Sequence, residues 1–120
     1  MTGPRVVLVD DHGLFRAGVR AELDERGLAL VAAAREAMVN AAKFAGGAPV
    51  DVYAEAEDGR LQVYVRDRGP GFDPASVPAD RRGVRESIVG RMARHGGRAE
   101  IHSAPGAGTE VELTLPRSAP

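Results

Sequence analysis

Leu61-Gln62-Val63-Tyr64-Val65-Arg66-Asp67-Arg68-Gly69-Pro70-Gly71-Phe72 reads as a strand that runs into a turn. Apolar and polar residues alternate with period two up to Arg66, as in a strand with one buried face. Asp67 closes the strand and two spaced glycines follow. An acid at that point can accept the exocyclic amine of a purine, and the glycines bring bare backbone close to a ligand. Upstream, Val50-Asp51-Val52-Tyr53-Ala54-Glu55 alternates in the same way. Asp58-Gly59 between the two runs is a strong hairpin signal, so two antiparallel strands are predicted.

The rest of the chain is arranged around this hairpin. Residues 5–9 form an apolar run ending in Asp10-Asp11, which suits a buried strand. A helix is predicted over 14–24, Gly27 interrupts, and a second helix spans 28–45, stopped by Gly46-Gly47. At 100° per residue, Val31, Ala34, Met38, Ala41 and Ala45 share one side of it, and Glu36, Asn40 and Lys43 cluster opposite. One face is predicted to pack and the other to be free for a ligand. Residues 73–82 are polar with Pro74 and Pro78, which predicts a mobile loop. A helix over 83–95 ends at Gly96-Gly97, and residues 99–103 and 110–115 alternate around a Gly-rich turn. Residues 117–120 are expected to be a disordered tail. The order strand, helix, helix, hairpin, loop, helix, hairpin predicts an α+β fold, a two-layer sandwich with helices on one face of a mainly antiparallel sheet.

Composition narrows the function. A chain of 120 residues is one domain's worth. Sixteen basic residues against seventeen acidic ones leave a net charge of -1, which gives no electrostatic reason to expect nucleic acid or an anionic membrane as partner. No cysteine is present, so disulfides and thiolate metal sites are excluded. No apolar run reaches the roughly 18 residues of a membrane span, and the expected location is the cytoplasm. With aromatics at 4% and no tryptophan, the core must be built from Val, Leu, Ile and Ala. Lys43 is the sole lysine among the sixteen basic residues, and its compact ammonium suits phosphate as a point charge.

Three sparse polar clusters stand in a fixed order: Arg35-Glu36-Ala37-Met38-Val39-Asn40-Ala41-Ala42-Lys43, then Asp67 to Phe72, then Pro105-Gly106-Ala107-Gly108-Thr109. Taken singly, each has a plain reading, as a solvated helix face or as ordinary turn residues. In this order they resemble the N box, first glycine box and last glycine box of the GHKL (Bergerat-fold) ATPases, in particular the ATP-binding domain of bacterial sensor histidine kinases. The resemblance covers residues 23–116. It implies ATP and Mg²⁺ as cofactors, with Asn40 as metal ligand, Glu36 as its acid/base neighbour and Lys43 as a phosphate contact. It also implies that Gly69 and Gly71 open the nucleotide pocket, that Thr109 lies beside Asp67 near adenine, and that residues 73–82 form an ATP lid. Gly83-Val84-Arg85-Glu86-Ser87-Ile88-Val89-Gly90-Arg91 resembles the remaining glycine box, although Ser87 stands where glycine is usual. Amides at the helix start near Gly83 would meet phosphates, with Arg81, Arg82 and Arg85 as candidate assistants. Phe44 stands where the family commonly has a histidine or another polar residue.

Residues 1–22 follow another pattern. Val6-Val7-Leu8-Val9-Asp10-Asp11-His12-Gly13-Leu14-Phe15-Arg16-Ala17-Gly18-Val19 resembles the opening of a response-regulator receiver domain. The third aspartate and the later lysine of a receiver are missing, so Asp10 and Asp11 read as exposed loop carboxylates. The borrowed strand would then substitute for the first strand of the Bergerat fold. His12, His95 and His102 lie outside any phosphoacceptor setting, so a partner histidine-phosphotransfer or dimerisation domain, or a response regulator, is implied. The leading reading is the ATP-binding catalytic domain of a two-component histidine kinase, phosphorylating a histidine on a separate module. The competing one is a non-catalytic, ATP-dependent protein-binding module of the anti-sigma or partner-switch type.

Overall fold

A computed structural model describes residues 7–8, 25–45, 48–57 and 60–116. The helix expected over 14–24, the acidic pair Asp10-Asp11, His12, the glycine stop at 46–47, the turn residues Asp58-Gly59 and the tail 117–120 lie outside the described residues. The elements are β1 (Val7–Leu8), α1 (Glu25–Phe44), β2 (Asp51–Glu57), β3 (Arg60–Asp67), α2 (Ala79–Arg94), β4 (Arg98–Ser103) and β5 (Thr109–Pro116), with a 3-10 turn at Pro74–Ser76. The strands form one sheet in the order β1-β2-β3-β5-β4, every neighbouring pair antiparallel. The predicted hairpin is β2 and β3, paired from Asp51↔Arg66 to Glu57↔Arg60 across a two-residue link.

The sheet is two-faced because its central strands alternate. Leu61, Val63 and Val65 on β3 sit in register with Leu115, Leu113 and Val111 on β5, and all six are buried. Leu30, Ala33, Ala34, Ala37 and Ala41 of α1, with Ile88 and Met92 of α2, complete this core. The alanine spine lets α1 approach closely, since the distance between packed elements is set by the side chains at the contact. Gln62, Tyr64, Glu112 and Thr114 lie on the other face, where Gln62 Nε2 donates to Thr114 Oγ1 (3.3 Å) and Tyr64 Oη donates to Gln62 Oε1 (3.2 Å). Burial and then the nearby Glu55 and Glu112 carboxylates push the Tyr64 phenol above its ordinary value, with Arg60 opposing. The two-layer α+β arrangement matches the expectation.

Two element boundaries differ from those expected. Gly27 does not interrupt: it is buried inside α1, which begins at Glu25. A helical glycine costs about 1 kcal/mol relative to alanine. Next to it, Arg26 ties the helix down, its Nε donating to the His95 carbonyl (2.9 Å) and its Nη2 to the Pro116 carbonyl (2.6 Å). The second difference is at α2, which begins at Ala79 and not at Gly83, so only residues 73–78 remain of the expected loop. Asp73 starts that segment by capping the 3-10 turn, its Oδ1 accepting from the Ala75 amide at 2.9 Å. Pro78 then sits at the N-cap of α2, and its carbonyl accepts from the Arg81 and Arg82 amides, both at 3.0 Å.

Candidate functional site

The ends of β3, β4 and β5 meet at one edge of the molecule. Asp67, the last residue of β3, is buried and pairs in register with Thr109, the first residue of β5. Ser103, the last residue of β4, pairs with the same Thr109. Asp67 Oδ1 accepts from the Gly69 amide at 2.8 Å, which bends the chain back just after the strand. The Ser103 hydroxyl donates to the Gly108 carbonyl (2.9 Å) and accepts from the Phe72 amide (2.9 Å). Its one proton is thereby used, which assigns the Thr109 hydroxyl as donor in the 2.9 Å contact between Ser103 and Thr109.

Glycine is required at two points in this knot. Gly71 (φ +66°) and Gly108 (φ +75°) hold a left-handed backbone. A side chain at Gly71 would strike the Ala104 carbonyl, and one at Gly108 would strike the Asp67 carbonyl. The glycines expected from sequence to bring backbone close thus bring it against other backbone, drawing both turns together. Gly69 likewise lies against the Phe44 carbonyl at the end of α1.

Arg81, read from the sequence as a possible phosphate assistant or a solvated residue, is buried here with only 6% of its surface exposed. Its guanidinium lies 3.8 Å from the centroid of the Phe44 ring and 5.2 Å from that of Phe72. Nη1 donates to Thr109 Oγ1 at 3.5 Å. The two aromatic rings and the cation fill the corner between the end of α1, the glycine turn and the start of β5.

The α1 cluster is bonded more thinly. Asn40 Oδ1 is buried and has no hydrogen-bond partner among the described residues. One turn earlier, Glu36 is half-buried, and its Oε1 accepts from the Ser87 hydroxyl of α2 at 3.1 Å. The face carrying Glu36 is therefore not free as expected: it meets α2 through Ser87. Lys43 is exposed in the last turn of α1. Gly83 and Arg85 are exposed on the second turn of α2, and the helix N-terminus lies at Ala79, so the free amides expected at Gly83 belong there instead.

A cleft of about 280 Å³ lies beside the Gly-rich turn, lined by Arg66, Ser103, Ala107, Gly108 and Thr109 among others. A larger one, about 390 Å³, lies between Arg60, Gly97, Arg98 and Pro116 at the opposite end of the strands, far from Asp67. His95 caps α2, and exposed His102 on β4 stands between Glu100 (3.6 Å) and Glu112 (3.7 Å). Sequence reasoning did not identify Ser103, Phe72 or Ser87 as members of the site. For Ser103 a signal existed: it directly precedes the turn whose far side is Thr109.

The family described as histidine kinase-, DNA gyrase B- and HSP90-like ATPases matches residues 25–119. Among curated relatives, the chain is 36% identical over 90 residues to a sensor histidine kinase component, HK1, of Mycobacterium tuberculosis, covering 62% of this chain and 54% of that protein. It is 32% identical over 82 residues to the sensor histidine kinase LiaS of Bacillus subtilis, covering 68% and 22%. The chain thus spans about half or less of the length of these relatives. Among solved structures, full-length ShkA in complex with AMPPNP superposes with a TM-score of 0.65 at 25% identity, over 98% of this chain and 32% of that one. The mycobacterial sensor histidine kinase MprB shares the fold, with a TM-score of 0.62 at 20% identity over 95% and 97%.

Proposed function

The chain belongs to the family of histidine kinase-, DNA gyrase B- and HSP90-like ATPases, and from that premise we propose that it takes up Mg-ATP for phosphoryl transfer to a histidine on a separate module of a two-component kinase. The supporting observation is the Asn40 side-chain oxygen, buried without a hydrogen-bond partner among the described residues on the α1 face that also carries Glu36. A buried amide oxygen left unpaired costs about 1–3 kcal/mol, so it is retained where a ligand will satisfy it. A hard oxygen donor is what Mg²⁺ selects, and the donor set fits that ion. When bound, Mg²⁺ would neutralise charge on the triphosphate.

Placement supports the remaining roles in this reading. Asp67, buried at the strand end with one carboxylate oxygen on the Gly69 amide, accepts the purine amine, and Thr109 stands beside it in register. Lys43, exposed in the last turn of α1, and Arg85, exposed on α2, reach for phosphates. Glu36, steered by Ser87, is the acid/base group next to the metal ligand. Catalysis in such a site is positioning and charge neutralisation, with little covalent chemistry left to the protein. The phosphoacceptor lies on a partner dimerisation module, and the reaction belongs in the cytoplasm, where ATP is available. The curated relatives are sensor histidine kinases, which favours this reading over a partner-switch module. Calorimetric titration with Mg-ADP is expected to saturate at one site per chain, and an absence of binding would refute the proposal.

A further inference from the structure

Arg81 is a charged residue only 6% exposed, and its side-chain hydrogen bond to Thr109 Oγ1 is long, at 3.5 Å. A guanidinium carries five donors and prefers carboxylates, yet here its carbon sits over the Phe44 ring and near Phe72. Its surroundings adjoin the groups proposed for the purine. Thr109 pairs with Asp67, Gly69 lies against the carbonyl of Phe44, and Phe72 follows the glycine turn. A guanidinium is a flat π-system edged with N–H groups, which is also how the amino edge of adenine presents itself.

We propose that Arg81 is a built-in plug of the purine pocket: its guanidinium stacks on Phe44 in the place of adenine, and nucleotide enters only as Arg81 withdraws. This inference rests on the nucleotide-site reading above. Arg81 is the third residue of α2, so its withdrawal moves the first turn of that helix, beside the six-residue segment 73–78. The plugged form holds a fraction of the molecules out of binding, and the apparent dissociation constant rises by the inverse of the open fraction. The plug adds selectivity, because a ligand must supply a ring that stacks better than the guanidinium in order to displace it.

Adenosine and ADP should be titrated into the full chain and into Arg81→Ala by calorimetry. The plug predicts that both ligands bind the variant about threefold to thirtyfold more tightly, the range of a desolvated cation–π contact. Equal or weaker binding by Arg81→Ala overturns the plug while leaving the nucleotide site standing. Binding by neither protein removes the site and the plug together. A second measurement needs no variant. In the free protein, the Arg81 δ-proton signals should be shifted upfield by the Phe44 ring and should return to ordinary positions as ADP saturates. Signals unshifted in the free protein, or still shifted at saturation, overturn the proposal.

Discussion

The strand-end corner and the α1 face, the two halves of the proposed site, are built in opposite ways. At the strand ends the polar groups answer one another: Asp67 holds the Gly69 amide, Ser103 serves Phe72, Gly108 and Thr109, and Arg81 lies over the rings. On α1, Asn40 has a buried oxygen with no partner among the described residues, and Lys43 extends into solvent. The first half is bonded within itself and filled by Arg81, whereas the second holds a buried acceptor with no partner among the described residues. In the proposed site the purine would have to compete for its place, whereas the metal-triphosphate would meet groups with little to give up.

The largest expected effect attacks the first half. Gly108→Ala forces a side chain into the Asp67 carbonyl at a positive φ, and should cost about 3 kcal/mol or more of folding stability in urea denaturation. A loss under about 1 kcal/mol would mean that the turn gives way easily and that the contrast between the halves is overstated. Next, Asp67→Asn replaces a charged acceptor by an amide and should lower adenosine affinity by roughly 2–3 kcal/mol in calorimetry. Unchanged affinity would move the purine elsewhere.

Asn40→Ala tests the other half. It should weaken Mg-ATP by about tenfold or more, as loss of a metal ligand does, while adenosine affinity stays within about twofold. Equal losses for both ligands would make Asn40 structural and erase the division of labour. The smallest effect lies outside both halves, on the open face of the sheet. The Tyr64 phenol is raised in the folded chain by burial and by nearby carboxylates. The folded state therefore holds that proton more tightly than the unfolded one, so stability is full below pH 10 and declines as pH rises past 10. Tyr64→Phe should flatten that decline in thermal melts followed against pH, and an unchanged slope would exclude Tyr64 as its source.

Legibility followed periodicity. The β2–β3 hairpin could be read because alternation and an Asp-Gly link agree, and α1 because its buried alanines and valine recur at helical spacing. The first turn of α2 could not be read. Only Ile88 and Met92 are buried apolar residues in that helix, so it shows little period, and two prolines before it look like loop. The site was half legible. Asp67, Thr109 and Asn40 were singled out by their side-chain chemistry, and the structure brings Asp67 and Thr109 side by side. Arg81 was opaque because nothing in a polar run says which arginine will turn inward onto two aromatic rings. Ser103 was partly legible, since it directly precedes the Gly-rich turn, but its pairing with Thr109 comes from strand register, which short-range pattern does not contain.

The Arg26 guanidinium gives α2 a mechanical character. It grips the carbonyls of His95 and Pro116 at one end of the helix, while Arg81 stands at the other. In the proposed plug, α2, held at its C-terminus, would act on Arg81 as a lever. Thirteen residues at 1.5 Å each give an arm of about 20 Å, so a tilt of roughly 5° about the anchored end carries Arg81 by about 2 Å. From a start 3.8 Å off the Phe44 centroid, that travel brings the guanidinium close to the roughly 6 Å limit of a cation–π contact, so the proposed opening would need only a small tilt of the helix.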